Sequence, residues 1–129
     1  MRTAIVCIAL LGLLIFALGL AVSLTRGSTK SSFGYPDDPK DRLHKLCRAH
    51  ANAAEYAPIL GLLMLVLALR EPAVWVLWTM IFATVFRYTH AAGMILMPTL
   101  ARPNPLRFAG ALGTYVCGIA LAGALLVTA

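Results

Sequence analysis

The chain has 129 residues, of which 60% are hydrophobic and only 12% are charged, and its mean hydropathy is +0.84. Soluble domains usually carry about 25% charged residues, so this composition excludes an ordinary soluble globular protein and indicates a membrane protein. The net charge of +6 comes from basic residues that lie between apolar runs. That pattern is typical of membrane topology and not of nucleic-acid binding. The length allows one domain, residues 1–129.

The first apolar run, residues 3–24, carries no charge and is long enough to cross a bilayer, which takes about 20 residues. A cleaved signal peptide is the alternative, because Arg2 precedes the run. The apolar region of a signal peptide is only about 7–15 residues long, so we predict a retained helix. Residues 26–41 are rich in glycine, serine and proline and are predicted to form a loop, with Asp38 or Asp41 capping the next helix.

Three more helices are predicted, over residues 41–69, 73–97 and 106–128. Tight connections that contain prolines separate them. The last helix is rich in glycine and alanine, which allow helices to approach closely in lipid. The sequence therefore predicts an all-α membrane protein in the form of a four-transmembrane-helix bundle.

The distribution of basic residues predicts the orientation in the membrane. The middle connection offers only Arg70, beside Glu71. The first and third connections carry the other loop cations, which are Arg26, Lys30, Lys40, Arg42, Lys45, Arg48, Arg102 and Arg107. Because lysine and arginine stay on the cytoplasmic side, the first and third loops are expected to be cytoplasmic.

Ionisable residues inside the predicted membrane helices point to function, because each costs about 2.5–3.5 kcal/mol at the centre of an inserted helix. Arg48, Asn52 and Glu55 are spaced by four and then three residues, so they share one face of the second helix. The third helix contributes Arg87 and His90, three residues apart.

Two interpretations of these residues are open. Ion pairs of Glu55 with Arg48 or Arg87 would serve only to hold the helices together. Alternatively, Arg102 and Arg107 bring the number of arginines well above the single glutamate, and the positive excess indicates an anion site. Arginine binds carboxylates in bidentate fashion, while Glu55 would hold an ammonium group. The three cysteines show no spacing that indicates a metal site.

The sequence RAHANAAEYAP, residues 48–58, closely resembles the second-helix signature RAHxNxxE of the MAPEG family. These are the membrane-associated proteins of eicosanoid and glutathione metabolism. The resemblance covers the whole chain and includes the long polar first loop, RYTH at residues 87–90, and Arg107 before a glycine-rich fourth helix. It points to the small bacterial branch of the family, whose members lie in the inner membrane.

The resemblance implies a homotrimer with glutathione, as co-substrate, bound between subunits near the cytoplasmic side. The residues it assigns to glutathione binding, together with their polar neighbours, are Arg26, Arg48, Asn52, Glu55, Arg87, Tyr88 and His90. Arg48 and Arg26 would bind the carboxylates of glutathione and Glu55 its ammonium group. Arg107 matches the arginine that stabilises the thiolate, and Arg102 competes for this role. No metal is implied.

Some positions depart from the family pattern. Met94 stands where several relatives have a tyrosine one turn after the histidine, and residues 108–111 lack the Ser and Tyr of the prostaglandin-synthase branch. The resemblance therefore implies a glutathione transferase or peroxidase that acts on lipophilic electrophiles from the bilayer. A non-catalytic membrane scaffold or binding module is the alternative. A transporter is less favoured, because the sequence lacks paired halves with broken helices.

Overall fold

The computed structural model describes residues 1–128, which form four α-helices and, over that range, no strand. The helices are α1 (Arg2–Thr29), α2 (Arg42–Ala68), α3 (Val74–Ile95) and α4 (Pro105–Val127). By length and composition, α1, α2 and α4 are apolar enough to cross a membrane. The predicted all-α membrane fold is confirmed.

The first and third connections lie at the same end of the bundle. The backbone N–H of Leu100 donates to the carbonyl of Pro39 at 2.9 Å, and Nζ of Lys45 donates to the carbonyl of Met97 at 3.1 Å. At the opposite end Arg70 donates to the carbonyl of Thr128. The two basic loops therefore share one end, while the side of the membrane that this end faces stays a prediction.

The helices pack as two close pairs, α1 with α2 and α3 with α4, and α2 also contacts α3. Helix α1 also contacts α3 and α2 contacts α4, whereas among the described residues no Cα of α1 lies within 8 Å of a Cα of α4. The largest fully buried side chains are Leu11, Met64, Leu67, Met80 and Leu121. Many large apolar side chains face outward instead, such as Phe16 and Ile119, as expected for a surface that meets lipid or another subunit.

Glycines set the short distance between α3 and α4. A Cβ atom added at Gly110 would lie 2.5 Å from the backbone nitrogen of His90, and one added at Gly93 would lie 2.6 Å from that of Arg107. Contacts this short leave no room for any side chain at either glycine. The close approach holds His90 and Arg107 at the interface of the two helices.

The end of α1 differs from the prediction, which stopped the helix at the end of the apolar run. The hydroxyls of Thr25, Ser28 and Thr29 bond to backbone carbonyls three or four residues earlier, at 2.8–2.9 Å. These bonds satisfy the polar side chains locally, so the helix continues until Lys30, which has a φ of 52°. Arg26 therefore lies on the last turn of α1 and not in a loop.

Asn104 begins α4 and connects it to α3. Its side-chain oxygen accepts from the N–H of Arg107 at 2.7 Å, and its Nδ2 donates to the carbonyl of Gly93 at 3.0 Å. Asp41 caps α2 in the same way, by accepting from the N–H of His44 at 2.8 Å. Of the two caps predicted for α2, Asp38 or Asp41, the structure shows Asp41, whereas the cap at Asn104 was not predicted.

We expect Asn104→Ala to lower the free energy of unfolding by about 1–3 kcal/mol, because it removes the cap and the buried bond to Gly93. Denaturant titration in detergent measures this loss. Asn104→Ser is the control, since its hydroxyl oxygen keeps a cap acceptor while the donor to Gly93 is lost, so its effect should be smaller. Equal losses in the two variants would contradict the capping role.

Candidate functional site

A cleft of about 540 Å³ opens at the end of the bundle where the first and third connections meet. Its volume falls in the range of small-molecule sites, about 300–1,000 Å³. Helices α2, α3 and α4 and both connections contribute to its walls. Its polar and charged lining residues are Asp37, His44, Arg48, Asn52, Glu55, His90 and Arg107.

One wall of the cleft is the polar face of α2. Arg48, Asn52 and Glu55 all line it, as their spacing predicted. The buried Ala49 and Ala53 lie on another face of α2, in a cluster with residues of α1 and α3, and this packing fixes the rotation of α2. Arg48 and Glu55 are exposed, so their charged groups are accessible to a ligand.

His90 of α3 and Arg107 of α4 form the facing wall. His90 is 7% exposed, and Arg107 is half-buried. The Nη1 group of Arg107 donates to the carbonyl of Leu100 at 3.0 Å. A guanidinium has five N–H donors, so this bond holds the side chain in place and leaves other donors for a ligand.

The structure separates the two arginines that competed for the position beside the thiol. Arg107 lines the cleft, because the Asn104 cap starts α4 just before it. Arg102 lies in a separate groove of the third connection, with Lys40. The chemical role of either arginine stays a prediction.

Arg26 and Tyr88 lie outside the cleft of a single chain. The Nη2 group of Arg26 donates to the carbonyl of Gly34 at 3.3 Å and lies 4.0 Å from Sγ of Cys47. The hydroxyl of Tyr88 donates to the carbonyl of Leu10 at 2.9 Å, which ties α3 to α1. Their predicted part in glutathione binding would require a neighbouring subunit or a different arrangement.

Arg87 lies behind the cleft, where it contacts Asn52. Its Nη2 group donates to Oδ1 of Asn52 at 2.9 Å, and its Cζ lies 5.0 Å from the centre of the Tyr56 ring. The hydroxyl of Tyr56 in turn donates to that of Tyr115 at 3.4 Å. The side chain of Arg87 therefore links α3 to α2, and the tyrosine pair links α2 to α4.

The ion pairs considered from the sequence are not formed. Within residues 1–128, Glu55 makes no salt bridge with Arg48 or with Arg87. Arg87 reaches α2 at the level of Asn52 and Tyr56, whereas the Glu55 side chain is exposed. The charges that line the cleft thus remain available to a ligand.

Asp37 also lines the cleft, although no sequence pattern indicated it. It lies in the first connection, which folds back over α2. There Nδ1 of His44 donates to the carbonyl of Pro36 at 2.8 Å, and the His44 ring meets that of Tyr35 edge-on at 4.8 Å. The spacing of residues along the chain gave no indication of these loop contacts.

Comparison with known proteins agrees with this geometry. The model of the MAPEG family matches residues 4–127, nearly the whole chain. No curated protein and no solved structure gives a significant match. The family match, the four-helix fold and the joint lining of one cleft by the signature residues of α2 lead to one conclusion: the chain belongs to the MAPEG family.

Proposed function

We propose that the protein is a membrane-bound glutathione transferase or peroxidase that acts on lipophilic electrophiles. One observation carries the proposal: Arg107 and the polar face of α2 line the same cleft. The family to which the chain belongs includes glutathione transferases and peroxidases. The cleft combines cations and a carboxylate on accessible walls, which suits a zwitterionic thiol peptide.

Glutathione carries two carboxylates, one ammonium group and one thiol. Arg48 suits a carboxylate, because a guanidinium binds both of its oxygens. Glu55 on the same face suits the ammonium group, and Asn52 lies between the two. In the homotrimer we propose, Arg26 of a neighbouring subunit supplies the cation for the second carboxylate.

Arg107 suits the sulfur of the bound peptide. The thiolate is the nucleophilic form of a thiol, and a guanidinium fixed in place stabilises that anion without reorganisation. The thiolate electron pair then forms a bond to the electrophilic carbon, the leaving group departs with its bonding pair, and the thiol proton is released. In the peroxidase reaction, two glutathione molecules reduce a hydroperoxide to an alcohol and water and become a disulfide.

The open side of the cleft leaves room for a neighbouring subunit and for a substrate that enters from the membrane. Arg48 and Glu55 are exposed in the single chain, and large apolar side chains cover the outside of the helices. A homotrimer would close the cleft between subunits, and a lipophilic substrate would reach it from the bilayer. We propose a bacterial inner membrane with the first and third loops on the cytoplasmic side.

Replacing Arg48 tests glutathione binding. We expect Arg48→Ala to weaken the binding about 10- to 100-fold, because a bond to a charged group contributes roughly 1.5–3 kcal/mol. Isothermal titration calorimetry of the detergent-solubilised protein measures the affinity. Arg42→Ala is the matched control, since Arg42 is an exposed cation of the same helix outside the cleft, and its affinity should equal that of the wild type.

The scaffold alternative gives a different result for Glu55→Gln. If the polar residues served only packing, this change would loosen the oligomer, as size-exclusion chromatography would show. The proposed site predicts an intact oligomer that has lost its affinity for glutathione.

A further inference from the structure

The bond between Arg87 and Asn52 fixes which group of the Asn52 amide points to the cleft. An arginine side chain has donors and no acceptor. The Asn52 atom at 2.9 Å from Nη2 of Arg87 must therefore be the carbonyl oxygen. Because Asn52 also lines the cleft, its NH₂ group is the part left to meet a ligand.

We infer that Arg87 is a positioning residue, which holds the Asn52 amide so that its NH₂ group donates into the cleft. Asn52 then recognises an acceptor, which is a carboxylate or a peptide carbonyl. A cationic group of the ligand would be excluded from this position. Applied to glutathione, this inference rests on the proposed function, and it assigns a carbonyl or carboxylate oxygen of the peptide to Asn52.

The surrounding helices restrain the side chain of Arg87, as a positioning role requires. Its side chain is 2% exposed, its guanidinium carbon sits 5.0 Å from the centre of the Tyr56 ring, and Tyr56 is bonded to Tyr115 of α4. Three helices thus restrain one guanidinium, and the amide on which it acts cannot turn without breaking a charge-assisted bond.

The charge of Arg87 adds to the effect on the amide. In the described part of the chain its Nε atom has no hydrogen-bond partner, and Arg87 forms no salt bridge with Glu55. A cation bonded to the amide oxygen polarises the amide and strengthens its N–H donors. Asn52 is therefore a stronger donor than an asparagine in a neutral environment.

Asn52→Asp separates positioning from packing. An aspartate of the same size keeps the contact with Arg87, now as an ion pair, and presents an acceptor to the cleft. We expect the melting temperature to be retained, while the affinity for glutathione falls about 10- to 100-fold. A purely structural role of the pair predicts unchanged affinity, and that result would overturn the inference.

Two substitutions of Arg87 complete the test. Arg87→Met removes the donor but keeps a long apolar stem, and we expect the affinity to fall about tenfold. Arg87→Lys keeps a donor-only group, and we expect it to restore most of the affinity. If both variants bind glutathione as the wild type does, Arg87 does not position Asn52.

A measurement without ligand separates this inference from the proposed function. The sequence contains two asparagines, Asn52 and Asn104, and no glutamine, so side-chain NH₂ groups give only two pairs of signals in a nitrogen-15 NMR spectrum. The pair of Asn52 disappears in Asn52→Asp. We expect this pair to shift in Arg87→Met and to stay near its wild-type position in Arg87→Lys.

The outcomes are distinct. If the wild type does not bind glutathione but the Asn52 signals shift as expected, the proposed function fails and the positioning by Arg87 stands. If the Asn52 signals are the same in the wild type and in Arg87→Met, the inference fails whatever the protein binds.

Discussion

Arg107→Ala is expected to lower the rate of glutathione conjugation about 10²- to 10³-fold, a loss typical of removing one preorganised charge-stabilising group. Arg107 is the arginine on the α4 wall of the cleft, and it is held there by its bond to Leu100. Its removal should abolish the ultraviolet absorbance of bound thiolate while Arg48 still binds the peptide. The loss should therefore appear mainly in kcat.

Arg102→Ala is the matched control for this prediction. Arg102 belongs to the same connection but lies in a different groove, so we expect conjugation rate and thiolate absorbance close to those of the wild type. Arg107→Lys keeps the positive charge but loses the planar set of guanidinium donors. Its conjugation rate should lie between those of Arg107→Ala and Arg102→Ala. A large loss in Arg102→Ala, with little change in Arg107→Ala, would assign the thiol to the other arginine.

Gly110→Ala is expected to separate α3 from α4 and to destroy the site. The new Cβ would lie 2.5 Å from the backbone nitrogen and 2.6 Å from Cα of His90, and backbone atoms cannot yield as a flexible side chain does. Because the clash is with backbone atoms, its cost should lie at the upper end of the roughly 1–3 kcal/mol of overpacking, above the gain of roughly 1 kcal/mol when Ala replaces Gly in a helix. We expect a lower melting temperature and loss of glutathione binding.

Gly123→Ala on the same helix is the control. A Cβ atom there would have nothing within 4 Å, so the change should leave stability unchanged or raise it slightly. If Gly110→Ala were as stable and as active as Gly123→Ala, the close contact at His90 would not hold the site together.

Helices α1, α2 and α4 were predictable because each contains a long apolar run, and a helix satisfies the backbone hydrogen bonds of such a run in lipid. The limits of the helices were less predictable. Hydroxyl bonds within α1 extend it through Arg26, and an apolar run gives no sign of such bonds. At α2, by contrast, the side chain of Asp41 marks the start of the helix correctly.

Part of the site was predictable from one helix alone. The face shared by Arg48, Asn52 and Glu55 follows from the helical period, and all three line the cleft. The partner of Arg87 was not predictable in this way, since it depends on the relative height of α2 and α3. The packing of α2 against α3 makes Asn52, and not Glu55, the hydrogen-bond partner of Arg87.

The contribution of the loops could not be read from the sequence. Asp37 reaches the cleft because the first connection bonds to His44 and to Leu100. Similarly, the choice of Arg107 over Arg102 follows from the cap at Asn104, whose bond to Gly93 fixes the start of α4. The loop bonds that place Asp37 and the Asn104 bond that places Arg107 join separate parts of the chain, so residue spacing along one helix does not reveal them.

The most direct test of glutathione binding in the cleft is a calorimetric titration of the purified wild-type protein with glutathione. Saturable heat that fits one class of site, with an affinity that falls about 10- to 100-fold in Arg48→Ala, is the predicted result. The absence of binding at millimolar thiol, with the oligomer intact, would contradict the account and leave a MAPEG fold with another use.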